Sequence, residues 1–189
     1  MRSINTMTRV EFPIAQFGTR LGTRMEGRRA QKELAGALRA LSEGDQMMVV
    51  LDGVDVLSGS FADEVLAKTV QEIVGGLHPG RTLVVRSPSR ELVDDLEHKL
   101  ERRKLAMLGR IDSKWILLGA DIPALAETLA LIIERGTTTT KELAETLALP
   151  MNTCANRVAR LADLRLVHRI PVGRKGRQPV YELHSIVED

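Results

Sequence analysis

Three short apolar runs constrain the fold of this chain most: Met47-Met-Val-Val-Leu51, Thr82-Leu-Val-Val85 and Trp115-Ile-Leu-Leu118. The first is closed by Asp52-Gly53 and the third by Gly119, as buried strands are. Helical periodicity fills the gaps. Between residues 24 and 41, Ala30, Leu34, Leu38 and Leu41 share one face; Phe61, Val65, Leu66, Val70 and Ile73 form the next stripe; Leu92, Leu96, Leu100 and Leu105 form a third across residues 91–105. Spacings of mostly three and four place each set on one side of a helix that packs against a sheet. Strands alternating with helices predict an α/β layer.

The pattern changes near residue 120. No long buried strand follows; three short helical patterns run in series and end in a hairpin signal. We therefore expect two domains, 1–120 and 121–189. The first helix of the second domain spans about 122–135, with Leu125, Leu129 and Ile132 inward, and Gly136 stops it. Thr139-Thr-Lys-Glu142 reads as a capping box, which starts a helix over about 140–148 that Pro150 ends. A third helix is predicted from Met151 to Leu164. Its apolar line is Cys154, Val158, Leu161 and Leu164, and its opposite line is Thr153, Asn156, Arg157 and Arg160. Two strand-like pieces, 166–171 and 179–183, flank the basic loop Val172-Gly-Arg-Lys-Gly-Arg-Gln178.

Charge sharpens this reading. The chain has 27 basic and 25 acidic residues, a formal net charge of +2. Residues 151–180 hold seven basic side chains (Arg157, Arg160, Arg165, Arg169, Arg174, Lys175, Arg177) against the single acid Asp163. Such a concentrated segment suits the phosphates of duplex DNA, whose neutralisation releases counterions. Arg and Asn also pair bidentately with guanine and adenine edges in the major groove.

Helix, helix, helix and basic hairpin, with the stretch Thr153-Cys-Ala-Asn-Arg-Val-Ala-Arg-Leu-Ala-Asp-Leu-Arg-Leu-Val167, resemble the winged helix-turn-helix domain of bacterial transcription regulators. That family usually carries Gly where this chain has Arg165. The resemblance implies a recognition helix in which Thr153, Asn156 and Arg157 face base edges. Arg160, Arg174, Lys175 and Arg177 would hold phosphates or reach the minor groove, and Asn152 and Gln178 complete the expected DNA-binding set. Such regulators usually act as homodimers on two-fold sites.

In the first domain the informative stretch is Val49-Val-Leu-Asp-Gly-Val-Asp-Val-Leu-Ser-Gly-Ser-Phe-Ala-Asp-Glu64, preceded by Gly22-Thr-Arg24 and Gly27-Arg28. It looks like the STAS-like domain, a relative of the anti-sigma-factor antagonists, although that family usually has Asp-Phe at Asp52-Gly53. The resemblance implies a domain that senses a partner protein or mediates assembly. It also implies a serine at the strand-to-helix turn, Ser58 or Ser60, open to phosphorylation by a partner kinase. The sequence itself offers Ser60 as a plain N-cap with Asp63 at its N3 position. A protein-interaction switch of this kind is the alternative to DNA-binding regulation.

Other features read more plainly. Asp52 and Asp55 suit turns. Arg20, Arg24, Arg28, Arg29 and Lys32 read as a solvated helix face, with an extended DNA or anionic-ligand surface as the alternative. Cys154 falls on a core line, and a single Cys excludes an internal disulfide. Four scattered His and the absence of nucleotide-loop or nucleophile-elbow motifs predict neither enzyme nor metal or cofactor site. No apolar run nears the ~18 residues of a membrane span, and no signal-peptide core opens the chain, so a cytoplasmic protein that does not engage the membrane is expected.

Overall fold

The computed structural model describes residues 7–120, 122–175 and 178–188, with only the backbone described at residues 122, 175 and 178. The chain divides into two compact units, Met1–Ala120 and Asp121–Asp189. Among the described residues no helix is long and apolar enough to cross a membrane.

The first unit is mixed α/β. Its elements are β1 (Arg9–Pro13), a short 3-10 turn (Ile14–Phe17), β2 (Arg20–Leu21), α1 (Arg24–Ala40), β3 (Gln46–Val50) and β4 (Val56–Leu57). A helical stretch over 59–74 follows, as α2 (Gly59–Ala62), a π-helical turn (Asp63–Ala67) and α3 (Lys68–Val74). Then come β5 (Thr82–Ser87), α4 (Glu91–Arg102), β6 (Ala106–Ile111) and β7 (Lys114–Gly119). The main sheet has the order β1-β3-β5-β6-β7. The first four strands are parallel, and β7 returns antiparallel to β6. The parallel order advances one way across the sheet, so right-handed crossovers set α1, the 59–74 helix and α4 on one face. Leu34, Leu38, Phe61, Leu66, Leu96 and Leu100 there share a core with Met47, Val49, Leu83, Val85 and Met107. All five residues of β3 are buried, which is why it reads as an apolar run after the hydrogen-bonded Gln46.

The structure adds β1 and β6 to the three expected strands of the main sheet and pairs β2 with β4 in a separate two-stranded parallel sheet, and it shortens the third helix. That helix ends at Arg102, and Leu105 lies beyond it. Lys104 takes a left-handed conformation (φ +55°), and the Leu105 amide bonds back to Leu100 O at 2.9 Å. This is the helix-ending geometry that normally favours Gly.

The second unit contains α5 (Ile122–Arg135), β8 (Thr137–Thr139), α6 (Thr140–Thr146), α7 (Met151–Asp163), β9 (Val167–Lys175) and β10 (Gln178–Ser185). Its sheet has the order β8-β10-β9, antiparallel throughout. The expected capping box is present: Thr139 Oγ1 accepts from the Glu142 amide, and Glu142 accepts from the Thr139 amide. Leu125, Leu129, Ile132, Leu143, Cys154, Val158, Leu161 and Leu183 are buried. The segment read as a basic loop is largely strand. β9 and β10 pair as far as Lys175 and Gln178, with an irregularity between Val180 and Tyr181.

Candidate nucleic-acid interface

α6 and α7 are joined by the four residues 147–150. Ala148 turns the chain at φ +50°, and Pro150 precedes α7 without a side-chain cap on its first amides. Cys154, Val158 and Leu161 anchor α7 inward. Burial pushes the Cys154 thiol up, with Arg157 opposing, so the sulfur stays a thiol inside the core. The opposite side of the first two turns presents Asn152, Thr153 and Asn156, all exposed. No acid occurs between Glu145 and Asp163.

The expected outward line holds only in part. Arg157 is turned back into its own unit. Its side chain is 21% exposed, its Nη1 donates to Thr128 Oγ1 of α5 at 3.3 Å, and the same nitrogen lies 3.6 Å from Glu127 Oε2. On the helical wheel, position 157 lies three residues after Cys154 and one before Val158, at the flank of the buried stripe rather than opposite it. Arg160, one turn on, is half-buried.

α7 ends at Asp163 and is capped at Leu164 in a double-hydrogen-bond motif: Arg165 N to Ala162 O and Leu166 N to Leu161 O, each 3.0 Å. Arg165 sits at φ +60° there, which accounts physically for Gly being the favoured residue at such a position. β9 then leads outward. Arg174 is exposed near the end of the paired segment, opposite Pro179. Lys175 and Gln178 close the described pairing by their backbones, and Arg177 lies outside the described residues. Lower on the hairpin, Arg169 stacks on Tyr181 with its guanidinium carbon 4.3 Å from the ring centroid.

In the first unit the two candidate serines differ. Ser58, not Ser60, is the N-cap: its Oγ accepts from the Phe61 amide at 3.2 Å and donates to Gly22 O at 2.7 Å. Ser60 lies inside the first turn and is exposed. Asp63 is not a capping partner either. Arg103 clasps it with two bonds of 2.8 and 2.9 Å and holds its carboxyl below the ordinary carboxylate range. Asp52, read as a turn residue, accepts from Arg86 Nε and Nη2 at 3.1 and 2.7 Å. Gly53 beside it needs φ +81°, which a Phe would strain to adopt.

Sequence reasoning also missed Thr128. It is an interior hydroxyl that fixes Arg157, and its only signal was its place on the buried side of α5 between Leu125 and Leu129. No protein-family model matches the chain, and no curated protein matches it.

Proposed function

We propose that the second unit is a winged helix-turn-helix that reads duplex DNA, in a transcriptional regulator whose first unit is STAS-like and senses a partner or mediates assembly. The observation that carries this reading is the acid-free first two turns of α7, which expose Asn152, Thr153 and Asn156 and are followed in the chain by the basic hairpin. In this account α7 enters the major groove. Asn156 and Asn152 meet adenine-like donor–acceptor edges, and Thr153 offers a hydroxyl and a methyl. The uncapped first-turn amides of α7 receive a phosphate oxygen. Arg174, Lys175, Arg177 and Gln178 on the hairpin hold backbone phosphates or reach the minor groove. Arg157 acts as a positioning residue that fixes α7 against α5. Two copies on a two-fold site would supply the base pairs that one helix cannot read.

Selection of bound duplexes from a random pool by the full chain tests the reading. It predicts a shared motif of a few base pairs, repeated in two halves. Recovery of sequences with no common motif contradicts it.

A second reading, a phosphorylation-controlled protein switch in the first unit, is supported by Ser60. Its hydroxyl is exposed on a helix's first turn, whereas that of Ser58 is committed to Gly22 and Phe61. Phosphate on Ser60, found by mass spectrometry of the protein from cells, supports the switch; an unmodified Ser60 under every condition contradicts it.

A further inference from the structure

The outer face of α1 carries five exposed cations, Arg24, Arg28, Arg29, Lys32 and Arg39, against Glu26 and Glu33. Glu26 is already used by the capping box of Thr23, and Glu33 lies beside Arg29 at 3.8 Å. What distinguishes this face from an ordinary solvated one lies beneath it. Glu64, in the π-helical turn, is only 2% exposed. The helices approach so closely there that a Cβ on Gly27 would come within 2.9 Å of Glu64 Cβ. The single carboxylate draws in Arg24 Nε at 3.5 Å, Arg28 Nε at 3.9 Å and the ammonium of Lys68. Three cations around one anion leave a local excess of two positive charges. Both arginines meet Glu64 through Nε, and their side chains remain 57% and 69% exposed. These contacts lie at ion-pair rather than hydrogen-bond distances, so Glu64 does not use up the guanidinium donors that suit phosphate oxygens. Glu64 thus gathers two guanidiniums at one place before any ligand arrives.

The line continues beyond that cluster. Arg24, Arg28 and Lys32 follow at four-residue steps, about 6 Å each along the axis, and Arg39 lies on the same side two turns further. An extended row of cations, the first two gathered by Glu64, fits a polymer of repeated phosphates better than one isolated anion. We infer that the outer face of α1 is a contact surface for the phosphate backbone of duplex DNA, additional to the reading surface of α7. This inference rests on the proposed DNA-binding function and extends it to the first unit. The contacts carry no base information; they add affinity and salt dependence.

The test is fluorescence anisotropy of the full chain on a labelled duplex of arbitrary sequence over a salt series. Two variants are read: Arg24→Gln/Arg28→Gln, and Lys32→Gln/Arg39→Gln, whose residues do not touch Glu64 and leave the packing intact. Each lost phosphate contact lowers the slope of log affinity against log salt by about 0.9, so each pair should lower it by about two. Asn156→Ala/Arg174→Gln, read on a duplex that carries the motif selected by the wild-type chain, serves as the comparison. A normal slope in Lys32→Gln/Arg39→Gln overturns the inference; if the comparison variant loses affinity at the same time, the α7 reading stands. Loss in both α1 variants with none in the comparison supports the inference and overturns the reading of α7. No duplex binding by the wild-type chain overturns both. Vesicles rich in phosphatidylserine form the last arm: retention lost only there, with duplex slopes unchanged, assigns the face to a membrane surface and overturns the inference.

Discussion

Arg157 Nη1 donates to Thr128 Oγ1 at 3.3 Å, linking α7 to the buried side of α5. A residue whose chemistry suits guanine is here spent on orienting the helix that carries it. Arg157→Ala is expected to leave the buried Thr128 hydroxyl without this donor and to destabilise the second unit by about 1–2 kcal/mol. Its effect on DNA should be an even loss across sequences, checked by denaturation midpoints and a panel of duplexes. A loss confined to one base position would restore Arg157 as a base reader.

Asn156→Ala is expected to behave in the opposite way. The side chain is exposed, so stability should stay within about 0.5 kcal/mol of wild type. Affinity for a selected site should fall by about 1–3 kcal/mol, with almost no change on unrelated duplex. Paired titrations on the selected and scrambled sites read the difference.

Ser58 and Ser60 can be separated by stability alone. Ser58→Ala removes the N-cap acceptor for Phe61 and should cost about 1 kcal/mol. Ser60→Ala should be neutral within about 0.5 kcal/mol. Equal effects in urea denaturation would contradict the assignment of the cap.

Arg165→Gly is expected to stabilise the second unit by about 0.5–1 kcal/mol, because φ +60° costs a side-chain-bearing residue more than it costs Gly. Thermal denaturation checks the sign. A lower midpoint would mean that the Arg165 side chain makes up for its backbone.

His168 gives the second unit a pH dependence. Burial first, and the facing His184 second, lower its pKa below the usual histidine value of 6.5. The unfolded chain therefore takes up the proton first. The folded state bears no penalty from this group above the ordinary histidine range, and it loses stability as pH falls from there toward the lowered value. Denaturation midpoints should drop between about pH 7.5 and 5. His168→Gln should flatten that drop, and an unchanged pH profile would contradict the account.

Much of this was legible in the sequence where local chemistry and periodicity agree. The stripes on α1 and α7 and the Thr139 capping box follow from spacing, and the strand before Asp52 from its apolar run. β6 escaped because its boundaries lack the usual punctuation. Lys104 rather than Gly ends α4, and Asp112-Ser113, both at positive φ, turn β6 into β7 where Asn-Gly would have announced a hairpin. The cap moved from Ser60 to Ser58 because Gly59 enters the helix: its amide bonds to Asp95 of α4 at 3.0 Å, a tertiary partner that no local pattern reveals. On the candidate interface, periodicity separated core from surface on α7. It did not resolve the flank position of Arg157, which depends on the Thr128 hydroxyl 29 residues away.

The central claim is tested most directly by titrating purified full-length protein into labelled duplex DNA over a salt series. With Arg174, Lys175 and Arg177 from each of two copies, six charged phosphate contacts, affinity should fall by about a thousandfold between roughly 50 and 200 mM salt. The loss should be linear on logarithmic axes. No detectable binding to any duplex at the lowest salt, or an affinity indifferent to salt, would contradict the account.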